Sequence, residues 1–163
     1  MDTDILLRQS VAHVRNSAIR EDDNFVNCAI LSFNRYSPVL KYGLLQIPKV
    51  YDAFTWNSIG PALVTKLSKL SSDIVPESSG QKWSFNVLNR SFFYEISYHD
   101  IDSLTETEMS TAEYKSRASS NMGYHFWGKI FYSKQRQIRA KSLMGYALQD
   151  TCLSSIMKCV ELV

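Results

Sequence analysis

The spacing of apolar positions changes period repeatedly along the chain, and each change marks an element. From Ile5 to Ile19, Leu7, Val11, Val14 and Ala18 recur at helical spacing behind Asp4, a candidate cap, which predicts a first helix. The acidic cluster Glu21-Asp22-Asp23-Asn24 ends it, and Phe25 to Phe33 is apolar and rich in β-formers, the pattern of a buried strand. Asn34-Arg35-Tyr36-Ser37-Pro38 has turn composition, so Val39 to Ile47 is expected to return as a paired second strand that Pro48 stops. Ile59, Leu63, Leu67 and Leu70 form one stripe and predict a helix over Asn57 to Leu70, with Gly60-Pro61 in its first turn.

Ser71 to Gly80 reads as an exposed loop. Trp83, Phe85 and Val87 then alternate with polar residues, as do Phe92, Tyr94, Ile96 and Tyr98 after Leu88-Asn89-Arg90, which predicts a hairpin with one buried face. Asp100 to Ser120 is acidic and rich in Ser and Thr, either a mobile loop or a solvated helix around Glu106 to Arg117. Tyr124 to Tyr132 reads as a fifth strand, apolar on both sides, and a long helix from about Gln137 carries Leu148, Cys152, Ile156 and Val160 on one face. The expected order is α-β-β-α-β-β-β-α. It gives a single α+β domain over residues 1–163, a mainly antiparallel sheet of about five strands packed by N-terminal, central and C-terminal helices.

Composition agrees with a globular chain: 45% hydrophobic and 21% charged, with no stretch suited to disorder. Cys28, Cys152 and Cys159 are an odd count in apolar surroundings, which favours buried thiols over a disulfide framework or a metal site. Cys152 and Cys159 are seven positions apart, on one side of the expected helix. No apolar run reaches the roughly 18 residues of a membrane span, and Met1-Asp2-Thr3-Asp4 is acidic where a secretory signal is basic. The expectation is a protein intracellular where it is made, touching membranes only peripherally.

Titratable residues give little chemistry. His13 sits between Ala12 and Val14, and His99-Asp100 with Asp102 follows a strand without further residues at ligand spacing. Phosphate-loop, dinucleotide, His-Glu-x-x-His and Gly-x-Ser-x-Gly motifs are absent from the sequence. No catalytic residue, cofactor or metal is assigned, and the expectation is a non-enzymatic protein.

Charge distribution adds more. Lys115, Arg117, Lys129, Lys134, Arg136, Arg139 and Lys141 lie in a stretch without a carboxylate, while Glu95, Asp100, Asp102, Glu106, Glu108 and Glu113 precede them without a cation. Blocks of opposite sign govern association. The cations, interleaved with Tyr124, Phe126, Trp127 and Phe131, suit an anionic partner: RNA, with Phe126, Trp127 and Phe131 stacking on bases, or an anionic membrane that Trp127 enters. The acidic block suits self-association, since a head-to-tail contact that does not close gives a lattice.

The run from Phe85 to Asp100, Phe-Asn-Val-Leu-Asn-Arg-Ser-Phe-Phe-Tyr-Glu-Ile-Ser-Tyr-His-Asp, resembles the strand-turn-strand segment of rhabdovirus matrix proteins, and the chain length is similar to that of the small matrix proteins of plant-infecting members. It lacks a basic N-terminal arm and a Pro-Pro-x-Tyr motif. The resemblance implies a viral structural protein of the virion and host cell cytoplasm, with the nucleus also open to it, that self-associates and bridges an anionic membrane to a ribonucleoprotein. The competing expectation is an RNA-binding suppressor of silencing.

Overall fold

A computed structural model describes residues 4–55, 57–70, 83–133 and 137–151. The chain is α+β, with helices and two small sheets in place of the expected five-stranded one. It divides into two compact units. One is built from Ala12–Arg90, the other from the N-terminal segment ending at Val11 together with the chain from Ser91 onward.

In the first unit, β2 (Ser17–Arg20) is the central strand of a sheet ordered β3-β2-β4. β3 (Val26–Ser32) pairs with it antiparallel, with an irregularity between Ala18 and Ile19, and β4 (Asn86–Leu88) pairs with it parallel. β3 lies where its continuous apolar run places it. The expected first helix over Ile5–Ile19 is instead two strands, β1 (Ile5–Leu7) and β2. Its stripe of Leu7, Val11, Val14 and Ala18 is broken at Asn16, whose φ of 47° is left-handed and ends any helix there.

The expected strand Val39–Ile47 is also corrected, to helix α1 (Pro38–Val50). Pro38 fits the first turn, and Val39, Gly43 and Gln46 recur on a buried face at helical spacing. Leucines on the outer face had hidden that period. α2 (Pro61–Ser68) is the expected central helix, shorter at both ends. Val39 packs with Leu63 and Leu67, and Val64 with Ala18 and Val26, while the Thr65 hydroxyl accepts from the Val26 N–H at 2.9 Å. A parallel strand pair needs a crossover, and the chain between β2 and β4 supplies it with β3, α1 and α2.

The hairpin expected after Trp83 does not form. β4 is followed by a 3-10 turn at Arg90–Phe92, and Phe93 and Tyr94 are buried without joining a strand. The segment that carried the matrix-protein resemblance is therefore not strand-turn-strand. A second 3-10 turn at Tyr98–Asp100 leads into α3 (Ile101–Thr105).

In the second unit, α4 (Thr111–Ala118) starts at an N-cap: the Ser110 hydroxyl accepts from the Glu113 N–H at 3.1 Å, three residues on. The expected fifth strand is only β5 (Gly123–His125), because Trp127 takes a φ of 53° and the chain turns into α5 (Gly128–Ser133). β5 pairs antiparallel with β1, Ile5 opposite His125 and Leu7 opposite Gly123. α6 (Leu143–Thr151) closes the unit, whose core includes Ile101, Leu104, Tyr114, Tyr124, Leu143, Met144 and Ala147. The helix expected from about Gln137 begins only at Leu143; the expected Ser71–Gly80 loop, Cys152, Cys159 and the rest of the expected C-terminal stripe lie outside the described residues.

Candidate functional site

The β1–β5 pairing decides what meets at the end of the small sheet. Asp4 immediately precedes β1, and its carbonyl accepts from the Phe126 N–H at 2.9 Å, extending the ladder past Ile5. The ladder places the Asp4 side chain beside the residues that follow β5. Its Oδ1 lies 3.2 Å from Nε2 of His125, and its Oδ2 accepts from the Gly128 N–H at 2.8 Å. Residues 121 positions apart are thus held as a carboxylate–imidazole pair.

The surroundings fix the pair. The His125 side chain is only 7% exposed, whereas that of Asp4 keeps 30%. Tyr94 and Trp127 set ring edges against the imidazole, at centroid distances of 5.5 and 4.0 Å. The Trp127 indole N–H donates to the Ile96 carbonyl at 3.2 Å, which holds the ring while its backbone stays left-handed. A positive φ on a large aromatic residue is a strained conformation of the kind that clusters at functional sites. An added Cβ on Gly128 would meet Asp4 Oδ2 at 3.2 Å and Asp4 Cβ at 3.3 Å, so a side chain there would fit only if Asp4 shifted by a few tenths of an ångström. A partly open carboxylate against an oriented, water-poor imidazole can accept or deliver a proton and stabilise the imidazolium cation.

A second polar grouping lies in the same unit. Arg8, next along the chain from β1, sends Nη1 to the carbonyls of Ala118 and Asn121 at 2.6 and 3.3 Å and Nη2 to Asp150 at 3.5 Å. The Tyr114 hydroxyl donates to Asp150 at 2.7 Å. Burial first, and then this bond, push the Tyr114 phenol well above its ordinary range. Burial, with the charge of Glu95 next in weight, pushes Tyr124 up to about 12.

The residues singled out by charge are scattered. Arg117 is ion-paired with Glu95 at 2.5 Å, and Arg139 lies 3.9 Å from Glu108 with both side chains more than half exposed. Two cations of the basic block thus meet two carboxylates of the acidic one. Lys115, Lys129 and Lys141 are exposed, as are Asp100, Asp102 and Glu113, while Glu106 is half-buried. The Asp100 carboxylate accepts from the Ser103 hydroxyl at 2.6 Å. Lys134 and Arg136 lie outside the described residues. Trp127 is half-buried in the collar of His125. His13 and His99 are exposed, and His99 lies against the Tyr98 ring at 3.8 Å.

Sequence reasoning passed over Asp4, taken for a helix cap, and His125, taken for one side of a strand. No local signal joins them: Asp4 stands in an acidic start of the chain, and His125 in an alternation that reads as strand. Among the described residues, no three His, Cys, Asp or Glu side chains gather as metal ligands, and no helix is long and apolar enough to cross a membrane.

A family model, described as the alpha 1,4-glycosyltransferase conserved region, matches residues 32–159, a stretch that includes His125 and Trp127 and begins after Asp4. No curated protein and no solved structure matches the chain. The family match overturns the rhabdovirus matrix resemblance and with it the non-enzymatic virion protein. The RNA-binding silencing suppressor is overturned on the same ground.

Proposed function

We propose, from the premise that the chain belongs to the family of the alpha 1,4-glycosyltransferase conserved region, that it is part of an enzyme transferring a glycosyl group from an activated donor to a sugar hydroxyl, with the Asp4–His125 corner at the reacting end. The observation that carries the site is the buried imidazole of His125 held 3.2 Å from the Asp4 carboxylate, beside a residue in left-handed backbone.

The chemistry asks for two things. A 4-hydroxyl oxygen of the acceptor bonds to the anomeric carbon while the bond from that carbon to the leaving group breaks, and positive charge builds on the sugar ring as negative charge builds on the leaving group. The Asp4–His125 pair would take up the proton that leaves the acceptor hydroxyl, Asp4 through its partly open carboxylate and His125 by sharing the charge behind it. The Gly128 N–H, donating at 2.8 Å, keeps the carboxylate from swinging away.

The test is a transfer assay of the full chain with a panel of nucleotide-activated sugars, acceptors with a free 4-hydroxyl, and Mn2+ or Mg2+, with product linkage read by NMR. Asp4→Asn and His125→Ala are each expected to lower turnover about 100-fold or more. Absence of transfer from every donor, or full turnover in both variants, overturns the reading.

A further inference from the structure

We propose that the outer face of α1 is a docking surface for an anionic lipid membrane. The helix has two apolar faces. On the inner one, Val39, Gly43 and Gln46 are buried, and Gly43 lies so close to α2 that an added Cβ would meet Leu67 Cδ1 at 2.9 Å. The opposite arc is left to water: Leu40 is 40% exposed, Leu44 66%, Leu45 63% and Tyr51 61%, with Tyr36 at 69% just before the helix and Phe54 at 100% just after it. Leu40, Leu44 and Tyr51 fall on one stripe at helical spacing, and Leu45 widens it. Contiguous apolar surface of this kind marks an interaction site.

Charge selects the occupant. From Arg35 to Tyr51 the sequence holds Arg35, Lys41 and Lys49 and no Asp or Glu. Lys41 and Lys49 are exposed, and the Arg35 guanidinium lies 4.7 Å over the Tyr36 ring. The next carboxylate, Asp52, turns onto its own loop and accepts from the Thr55 hydroxyl at 2.6 Å and the Phe54 N–H at 2.9 Å. The Thr55 bond, and then the Phe54 one, hold it below the usual carboxylate range.

Leucines in the middle, aromatic residues at both ends and three cations against the single carboxylate of Asp52 match the three levels of a lipid interface: acyl boundary, headgroup layer and phosphate charge. A second copy docking face to face would oppose cations to cations, which disfavours that occupant. These residues are separate from the basic block at Lys115–Lys141 that the charge pattern suggested, and the inference does not depend on the transfer reaction.

Flotation of the full chain with phosphatidylserine-containing vesicles and with pure phosphatidylcholine vesicles tests it. The protein is expected to float with the former at low salt and far less with the latter. Leu44→Asp with Leu45→Asp should abolish flotation while the far-UV circular dichroism is unchanged, since both side chains are solvent-exposed. Lys41→Ala with Lys49→Ala should weaken binding about 25-fold, at about fivefold per cation near an anionic surface. No flotation with phosphatidylserine vesicles overturns the proposal. So does unchanged flotation of the leucine variant, or a sedimenting dimer that the leucine variant dissociates without any lipid binding.

Discussion

Two polar groupings tie the N-terminal segment of the second unit to the chain after Ser91, and they differ in what they leave open. Arg8 sends its guanidinium, 15% exposed, onto the Ala118 carbonyl at the C-terminal end of α4, onto Asn121 and onto Asp150, and lies 5.6 Å over the Tyr114 ring. A cation at the carbonyl end of a helix, ion-paired and stacked on an aromatic face, is an arrangement for holding elements together. Four residues earlier, Asp4 keeps a partly open carboxylate on a buried imidazole, beside Trp127 in strained backbone and close against Gly128. Backbone strain beside one grouping and not the other is what sets the proposed site apart from the clamp at Arg8.

Both depend on one ladder, so the largest effect is expected where it is tightest. A Cβ on Gly123 would meet the Leu6 carbonyl oxygen at 2.4 Å and Phe93 Cε1 at 2.7 Å, and neither strand backbone nor a buried ring yields cheaply. Gly123→Ala is expected to destabilise by about 3 kcal/mol, read in urea unfolding, and to abolish transfer by parting Asp4 from His125. A melt and a turnover equal to those of the parent chain would show that the ladder positions neither grouping.

Next comes an exchange of phenotypes. Arg8→Met takes a charged donor from the Ala118 carbonyl, which keeps the Asn121 N–H, and from Asp150, which keeps the Tyr114 hydroxyl, and should lower stability by about 2 kcal/mol, while turnover per folded molecule below the melt changes less than about threefold. Asp4→Asn should do the reverse, shifting stability by under about 1 kcal/mol while turnover falls about 100-fold. If the two variants behave alike, the distinction between clamp and site is wrong.

How much of this was legible follows from range and from period. β3 and α2 were readable because a continuous apolar run and a single Ile59–Leu63–Leu67 stripe each admit one interpretation. α1 was not, because Leu40, Leu44 and Leu45 on its outer face fill the gaps that would reveal the inner stripe, and a helix apolar on two sides resembles a strand. The turn at Trp127 was invisible because the alternation of Tyr124, Phe126 and Ile130 continues through it, while the left-handed backbone is set by contacts of the folded unit. The pair Asp4–His125 spans nearly the whole chain, and no local pattern announces a contact of that range. The acidic Asp2-x-Asp4 was in view and said only that the start of the chain is negative.

The smallest effect separates the groupings by pH. Tyr114 and Tyr124 both ionise at higher pH in the folded chain than a free phenol does, Tyr114 by burial and its bond to Asp150, Tyr124 by burial and the charge of Glu95. A phenol raised in the folded state contributes stability that is fully present below its unfolded pKa, about 10, and is lost as pH rises through the folded value, about 12 for Tyr124. Unfolding free energy should therefore fall above about pH 10, by at most about 1.4 kcal/mol per pH unit for each tyrosine. Tyr124→Phe should flatten that fall, and it removes a buried hydroxyl that has no hydrogen-bond partner among the described residues, so stability at neutral pH stays within about 1 kcal/mol or rises. Tyr114→Phe should also flatten it but cost about 1 kcal/mol at neutral pH, because Asp150 loses a donor. Asp4→Asn should leave the alkaline slope as it was. A slope that follows Asp4 and ignores both tyrosines would mean that the buried phenols around Arg8 are not what holds this unit shut.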